Sequence, residues 1–155
     1  MGIQAGINTS QLDAIANSFG QMGDRSTDYS DIGSELADIM RDDLKKRFAS
    51  SPATQVGGTV YGGIRWDGLT DATFAINPSR RGGKIGIVSG QLKLQSTVAG
   101  AGNVFGVDGT DFSFELVSER SQNFSQYRQL LAWHPELLRR TAELISTYVV
   151  EMINE

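Results

Sequence analysis

This chain holds no recognisable catalytic constellation, and the absence of cysteine excludes disulfides, thiolate nucleophiles and thiolate metal sites. The only histidine, His134, lies between Trp133 and Pro135. A histidine that acts as a base or a metal ligand needs partners at a defined spacing, and the surrounding sequence offers none. Because proline is favoured at the first position of a helix, we predict that His134 has a helix-start or packing role.

Carboxylates are plentiful, and a pair of them could perform acid-base chemistry. Helices of soluble proteins normally carry such charges on their solvated faces, so we predict that these carboxylates are solvated. They are Asp38, Asp42, Asp43, Glu115 and Glu119. No Gly-x-Ser-x-Gly element occurs, and one histidine leaves a serine triad a single possible base. We therefore expect that the protein is not an enzyme and binds no cofactor or metal.

A basic loop surrounds Gly82-Gly83 and contains Arg80, Arg81 and Lys84. These cations could contact phosphate or an acidic protein surface. The loop lacks the Gly-x-x-x-x-Gly-Lys-Ser/Thr pattern of a phosphate-binding loop. A solvated loop and a protein contact both stay open as interpretations.

Trp66 lies in a glycine-rich, polar setting where few sequence neighbours could bury it. A tryptophan in such a place is either a plug in the domain core or an anchor at an interface. The sequence favours neither role.

Length and composition predict one domain, residues 1–155. The 39% hydrophobic content is low and 18 glycines are many, so we expect part of the chain not to pack on its own core. A net charge of -4 argues against a general duplex-DNA binder. With neither a signal-peptide pattern nor a bilayer-spanning run, we expect a soluble, unexported protein that does not contact a membrane.

Hydrophobic periodicity predicts three helices and one hairpin. A short helix over residues 9–19 belongs to an N-terminal extension, 1–30, and longer helices cover residues 31–49 and the C-terminal part from Pro135. Asp108-Gly109-Thr110 predicts a hairpin between residues 103–107 and 111–117. The predicted fold class is therefore α+β, a small antiparallel β-sheet packed by N-terminal and C-terminal helices.

The remaining segments are less regular. The glycine pairs of residues 50–83 predict a long glycine-rich loop or arm. Within it we expect a brief strand at 59–61 and a helical turn at 69–76 that ends before Asn77-Pro78. Residues 84–98 alternate as a strand does, although Ser89-Gly90-Gln91-Leu92 could equally open a short helical turn before the strand. Residues 118–126 are polar, and residues 127–133 are either a last strand or an irregular approach to the final helix.

One order of motifs is similar to that of a known family. Trp66-Asp67-Gly68-Leu69 is followed by Thr70 and Thr73, a basic spacer, then Ile87-Val88-Ser89-Gly90-Gln91-Leu92 and Ser96. This resembles the phage virion-morphogenesis, or tail-completion, family. The upstream helix, the Asp-Gly hairpin and the C-terminal helix occur in the matching order, so the resemblance covers about residue 32 to the end.

The resemblance implies a structural subunit of a tailed-phage virion: a ring-forming neck or tail-terminator protein that joins head and tail. Its expected partners are further copies of itself in a hexamer, the phage connector or neck, and the tail tube or sheath. DNA would pass through the lumen without specific binding, and assembly would take place in the host cytoplasm. We expect the interface to contain Trp66 as an anchor, with Leu69, Arg80, Arg81 and Lys84.

A second hypothesis belongs to a different class of protein. The chain could be a small cytoplasmic anion- or ligand-binding domain, or an enzyme, whose glycine-rich loop closes over an anion near Arg80, Arg81 and Lys84. Such a domain would be a monomer or dimer with saturable ligand binding, whereas a ring subunit would assemble.

Overall fold

The computed structural model describes residues 23–151 and has an α+β architecture, as predicted. The predicted helix at 9–19 lies outside the described residues. In chain order the elements are α1 (Gly33–Ala49), β1 (Gly57–Val60), β2 (Ile64–Asp67), α2 (Asp71–Ile76), α3 (Gln91–Thr97), β3 (Asn103–Asp108), β4 (Asp111–Leu116), α4 (Glu119–Ser125) and α5 (Pro135–Val150). Short 3₁₀ turns precede α1 at Ser30–Ile32 and follow α2 at Pro78–Gly82.

The long helices α1 and α5 confirm the prediction from hydrophobic periodicity. Helix α5 begins at Pro135, as the missing N–H and fixed φ of proline favour. Leu36 of α1 packs with Ile145 and Val149 of α5 in a core cluster that also contains Tyr29 and Ile32. These two helices therefore form the base on which the rest of the domain packs.

A second core cluster surrounds Trp66. It contains Leu44 and Phe48 from α1, together with Val60, Ile85, Leu92 and Leu130. Because these side chains come from five separate segments, this cluster joins the first half of the domain to the second.

The hairpin β3–β4 also confirms its prediction. Asp108 pairs with Asp111, so Gly109 and Thr110 form a two-residue turn. Gly109 has a φ of 61°, and glycine with positive φ at the first central position is typical of a type II′ turn. The single predicted sheet is in fact two separate sheets of two strands, β1–β2 and β3–β4.

Residues 50–83 are not an extended arm. The backbone N–H of Thr54 donates to Gly83 O at 3.0 Å, that of Leu69 to Thr54 O at 2.7 Å, and that of Ile85 to Pro52 O at 2.9 Å. The glycine pair Gly62-Gly63, with φ values of 92° and 78°, makes the turn between β1 and β2. The glycines thus shape tight turns. The brief strand and the helical turn predicted within this segment are confirmed as β1 and α2.

The strand predicted over residues 84–98 is wrong, and the alternative of a helical turn is confirmed as α3. Gly90, with a φ of 76°, adopts the left-handed conformation directly before the helix begins. Leu92 and Ser96 are buried four residues apart, whereas Leu94 is exposed, which is helical and not strand periodicity.

The polar segment that follows β4 contains a helix that the sequence pattern did not indicate. Helix α4 begins where the Ser118 hydroxyl accepts the backbone N–H of Ser121 at 3.1 Å. Residues 129–134 are irregular, so of the two structures considered for 127–133 the strand is wrong.

Candidate functional site

Trp66 is fully buried and fills the centre of the second core cluster. Its indole Nε1 donates to Gln129 O at 2.8 Å. Its ring packs edge to face with Phe48 and Phe124, at centroid distances of 5.8 Å and 5.1 Å. Of the two roles open for Trp66, the core plug is therefore correct, and the expected interface anchor is wrong because the side chain does not reach the surface.

The basic loop does not present its three cations together. The Arg81 guanidinium lies over the Phe74 ring, 5.2 Å from its centroid. Lys84 is exposed and forms a backbone bridge with Ala53. Arg80 is half-buried, and with Leu69 it lines a surface pocket. The structure thus brings together two of the five predicted interface residues.

That pocket, which we term the arginine pocket, has a volume of about 370 Å³. Three arginines line it: Arg80, Arg120 of α4, and Arg128 just after α4. Apolar side chains, the loop before α3 and the polar Asn123 of α4 complete its wall; the residues are Leu69, Ile85, Gly86, Val88, Ser89, Gly90, Leu92, Asn123 and Phe124. The pocket therefore combines concentrated positive charge with an apolar floor.

Arg128 is held in place by the backbone. Its Nη2 donates to Asp67 O at 2.7 Å and to Gly68 O at 3.3 Å, and its Nε donates to Asp67 O at 3.0 Å. Burial lowers the pKa of Arg128; the Asp67 carboxylate opposes this, and the positive charge of Arg80 lowers it further. The position of Arg128 is thus fixed by hydrogen bonds to carbonyls and not by a salt bridge.

In the described residues the arginine pocket contains no salt bridge, although the Asp67 carboxylate acts on Arg128. Its lining contains no aspartate or glutamate. Within residues 23–151, none of its three arginines forms an ion pair with a carboxylate. Sequence reasoning missed Arg120 and Arg128. Their spacing with Phe124, at intervals of four residues, is the helical signal that could have placed them on one face.

A second surface feature runs beside β4, and we term it the edge groove. It consists of three depressions in a row, of which the middle one shares Phe114 and Leu131 with one neighbour and Phe112 and Trp133 with the other. One wall is β4, and the other is the irregular segment before α5. Two aromatic side chains beside it are unusually exposed, Tyr127 at 80% and Trp133 at 57%.

Backbone N–H and C=O groups of β4 that do not bond to β3 face this groove. Because Asp108 and Asp111 close a two-residue turn, they exchange backbone hydrogen bonds, and antiparallel alternation then directs the N–H and C=O of Phe112 and Phe114 away from β3. Within the described part of the chain these groups bond to no backbone outside the hairpin. The edge groove therefore combines an open strand edge with exposed aromatic surface.

A buried polar cluster lies beneath the β1–β2 turn. Arg47, fully buried, donates to Asp43 Oδ2 at 2.7 Å, to Leu130 O at 2.5 Å and to Tyr61 O at 3.0 Å. The His134 Nε2 lies 2.5 Å from Asp43 Oδ1 and donates to that carboxylate. The prediction that Asp43 is solvated is wrong, because the i, i+4 pair with Arg47 faces inward.

His134 is buried directly before α5, which agrees with its predicted packing role. The Tyr61 ring packs against it edge to face at 5.0 Å. Gly62 permits this approach, because a Cβ there would lie 2.7 Å from Arg47 Nη2. The cluster thus joins α1, the β1–β2 turn and the start of α5, an arrangement that stabilises the fold.

In the part of the chain that the structure describes, no group of three or more His, Asp or Glu side chains is arranged to hold a metal ion. Over the same residues, no helix is long and apolar enough to cross a membrane. Comparison of the chain with protein-family models, curated proteins and solved structures finds no match.

Proposed function

We propose that this protein is a structural subunit of a tailed-phage virion, a ring-forming neck or tail-terminator (tail-completion) protein that joins head and tail. The motif order from Trp66 to Ser96 supports this proposal, and so does an α+β fold in which α1 precedes and α5 follows the Asp-Gly hairpin. The observation that carries it is the edge groove.

An open strand edge beside exposed aromatic surface favours protein assembly. Unpaired N–H and C=O groups on an edge strand accept an added strand from another chain, and monomeric proteins usually protect such edges with charge or proline. Here β4 carries Asp111 and Glu115, but Tyr127 and Trp133 place apolar surface beside its edge. Exposed aromatic side chains are enriched at interfaces, where they supply most of the binding energy.

The groove also suits a ring. If the groove of one copy receives a different segment of the next copy, the contact is heterologous, and repetition of such a contact closes a ring when the rotation between copies is a whole fraction of a turn. We propose a hexamer of this chain, contacting the phage connector or neck on one side and the tail tube or sheath on the other. The net charge of -4 supports a lumen through which DNA passes without binding, because like charges repel.

Oligomeric mass tests the proposal. The double variant Tyr127→Lys/Trp133→Lys places two cations in the edge groove, and desolvating them on association is unfavourable. By light scattering, the wild-type chain should have the mass of six copies at micromolar concentration, and the double variant the mass of one.

Ile76→Lys is the matched control. Ile76 is 87% exposed on α2, outside the edge groove, so the charge added there should leave the oligomer unchanged. Far-ultraviolet circular dichroism checks that each variant is folded. A wild-type chain that stays monomeric up to about 100 µM, well above the range of stable assemblies, would contradict the proposal.

The arginine pocket favours the second candidate function, a small anion- or ligand-binding domain or an enzyme with a glycine-rich basic loop. Its volume lies within the range of small-molecule sites, and arginine suits carboxylate and phosphate groups. A monomeric or dimeric chain that saturably binds a small anion would favour this function over assembly.

A further inference from the structure

We infer that the arginine pocket is a receptor for an acidic peptide segment of a partner protein, in which a carboxylate side chain stands beside an apolar one. That this segment comes from a partner protein rests on the proposed assembly function. The preference of the pocket for a carboxylate beside an apolar group does not depend on that function.

The charge of the pocket argues for a carboxylate. Arg80, Arg120 and Arg128 converge on one cavity whose lining has no acidic residue. The positive charge of Arg80 disfavours the charged form of Arg128 and lowers its pKa, although less than the Asp67 carboxylate raises it. An added anion removes this repulsion, and the planar guanidinium matches a carboxylate in paired hydrogen bonds.

The floor of the pocket argues for an apolar group beside the carboxylate. Ile85 and Leu92 are almost fully buried beneath it, and Phe124 is supported from below by the Trp66 ring at 5.1 Å. Gly86 has a φ of 73°, and a Cβ there would lie 3.1 Å from Phe124 Cε2. The missing side chain at Gly86 therefore allows the loop to lie against this floor.

The shape and setting of the pocket favour a peptide over nucleic acid. Binding to a phosphate backbone requires many cations in a row, and this chain has a net charge of -4. Here three cations surround a single cavity of about 370 Å³ with apolar walls. Such a cavity fits one or two side chains that project from a peptide.

Amide NMR titration with a matched pair of peptides tests the inference. The probe is N-acetyl-Leu-Glu-Leu-amide, and its control is N-acetyl-Leu-Gln-Leu-amide, which has the same shape without the charge. The Glu peptide should saturably shift amides of residues 86–92 and 123–128. The Gln peptide should bind at least about tenfold more weakly, since hydrogen bonds to a charged group are lost.

Arg120→Gln should also lower the affinity for the Glu peptide by about tenfold, because Arg120 is an exposed cation of the pocket. Arg139→Gln removes the same charge from the exposed face of α5 and should leave binding unchanged. Inorganic phosphate should bind more weakly than the Glu peptide, because it cannot use the apolar floor.

Three results would overturn the inference: no saturable shift around the pocket, equal binding of the two peptides, or phosphate binding as tight as that of the Glu peptide. The last result would make the pocket a site for a free anion. Titration of the Tyr127→Lys/Trp133→Lys variant separates this inference from the assembly proposal, because both substitutions lie outside the arginine pocket.

Discussion

Replacement of Arg47 by methionine should be among the most damaging single substitutions in the described chain. Arg47 is fully buried, and its guanidinium bonds Asp43, the carbonyl of Leu130 and the carbonyl of Tyr61. Methionine fills much of the same space with no donor. The substitution leaves the buried Asp43 carboxylate with His134 as its remaining side-chain partner.

The size of the effect follows from these contacts. Breaking a buried ion pair by removing one partner costs about 3–5 kcal/mol, because the other charge stays desolvated. Each of the two carbonyls that loses its donor lowers the free energy of unfolding by about a further 1–3 kcal/mol if no water hydrogen-bonds to it. Since such costs are not additive, we expect a loss of at least about 4 kcal/mol, out of the roughly 5–15 kcal/mol by which domains are stable.

Urea denaturation followed by circular dichroism measures this loss. Arg139→Met is the control, because the ion pairs of Arg139 with Glu136 and Glu143 are exposed, and its effect should be much smaller. The double variant Asp43→Leu/Arg47→Met should be more stable than Arg47→Met, because it also removes the buried carboxylate that has lost its arginine partner. A loss below about 1 kcal/mol for Arg47→Met would refute the reasoning, since water would then be reaching the cluster.

Two further predictions concern aromatic side chains. Trp66→Ala should lower the free energy of unfolding by about 3–5 kcal/mol, because it leaves a cavity in the core. Trp133→Ala, at a half-exposed site, should change it little. Equal effects of the two substitutions in urea denaturation would contradict the burial of Trp66. Burial raises the pKa of Tyr29, and burial and then Asp31 raise that of Tyr148. These tyrosines therefore lose their protons at lower pH in the unfolded chain than in the folded one, so the free energy of unfolding should fall as the pH rises above about 10. In urea denaturation at about pH 8–11, the free energy of unfolding of Tyr148→Phe should fall less with pH than that of the wild-type chain.

Local signals predicted most of the regular elements. The three- and four-residue spacing of apolar side chains placed α1 and α5, and Asp108-Gly109 placed the β3–β4 turn, because these structures depend on neighbours in sequence. The same reasoning failed at Leu92 and Leu94. There a two-residue alternation lies within a helix, and only the positive φ of Gly90 and the burial of Leu92 distinguish the two structures.

The candidate sites were harder to predict because their residues are distant in sequence. Arg80 and Leu69 were expected at an interface, and the structure places both in the arginine pocket. Arg120 and Arg128 are each four residues from Phe124, but their convergence with Arg80 depends on packing of α4 over the Trp66 cluster. The prediction that Asp43 is solvated failed for the same reason, because packing of distant segments buries that face of α1.

The sequence by itself determined the fold class, the two long helices, the closing turn of the β3–β4 hairpin, and the exclusion of cysteine chemistry. Each of these depends on residue type or on contacts within a few positions. The tertiary structure decided that Trp66 is a core plug, that residues 50–83 fold onto the domain, and that three arginines share one pocket. These outcomes depend on which distant segments bury one another, and hydrophobic burial is non-directional, so no local pattern specifies them.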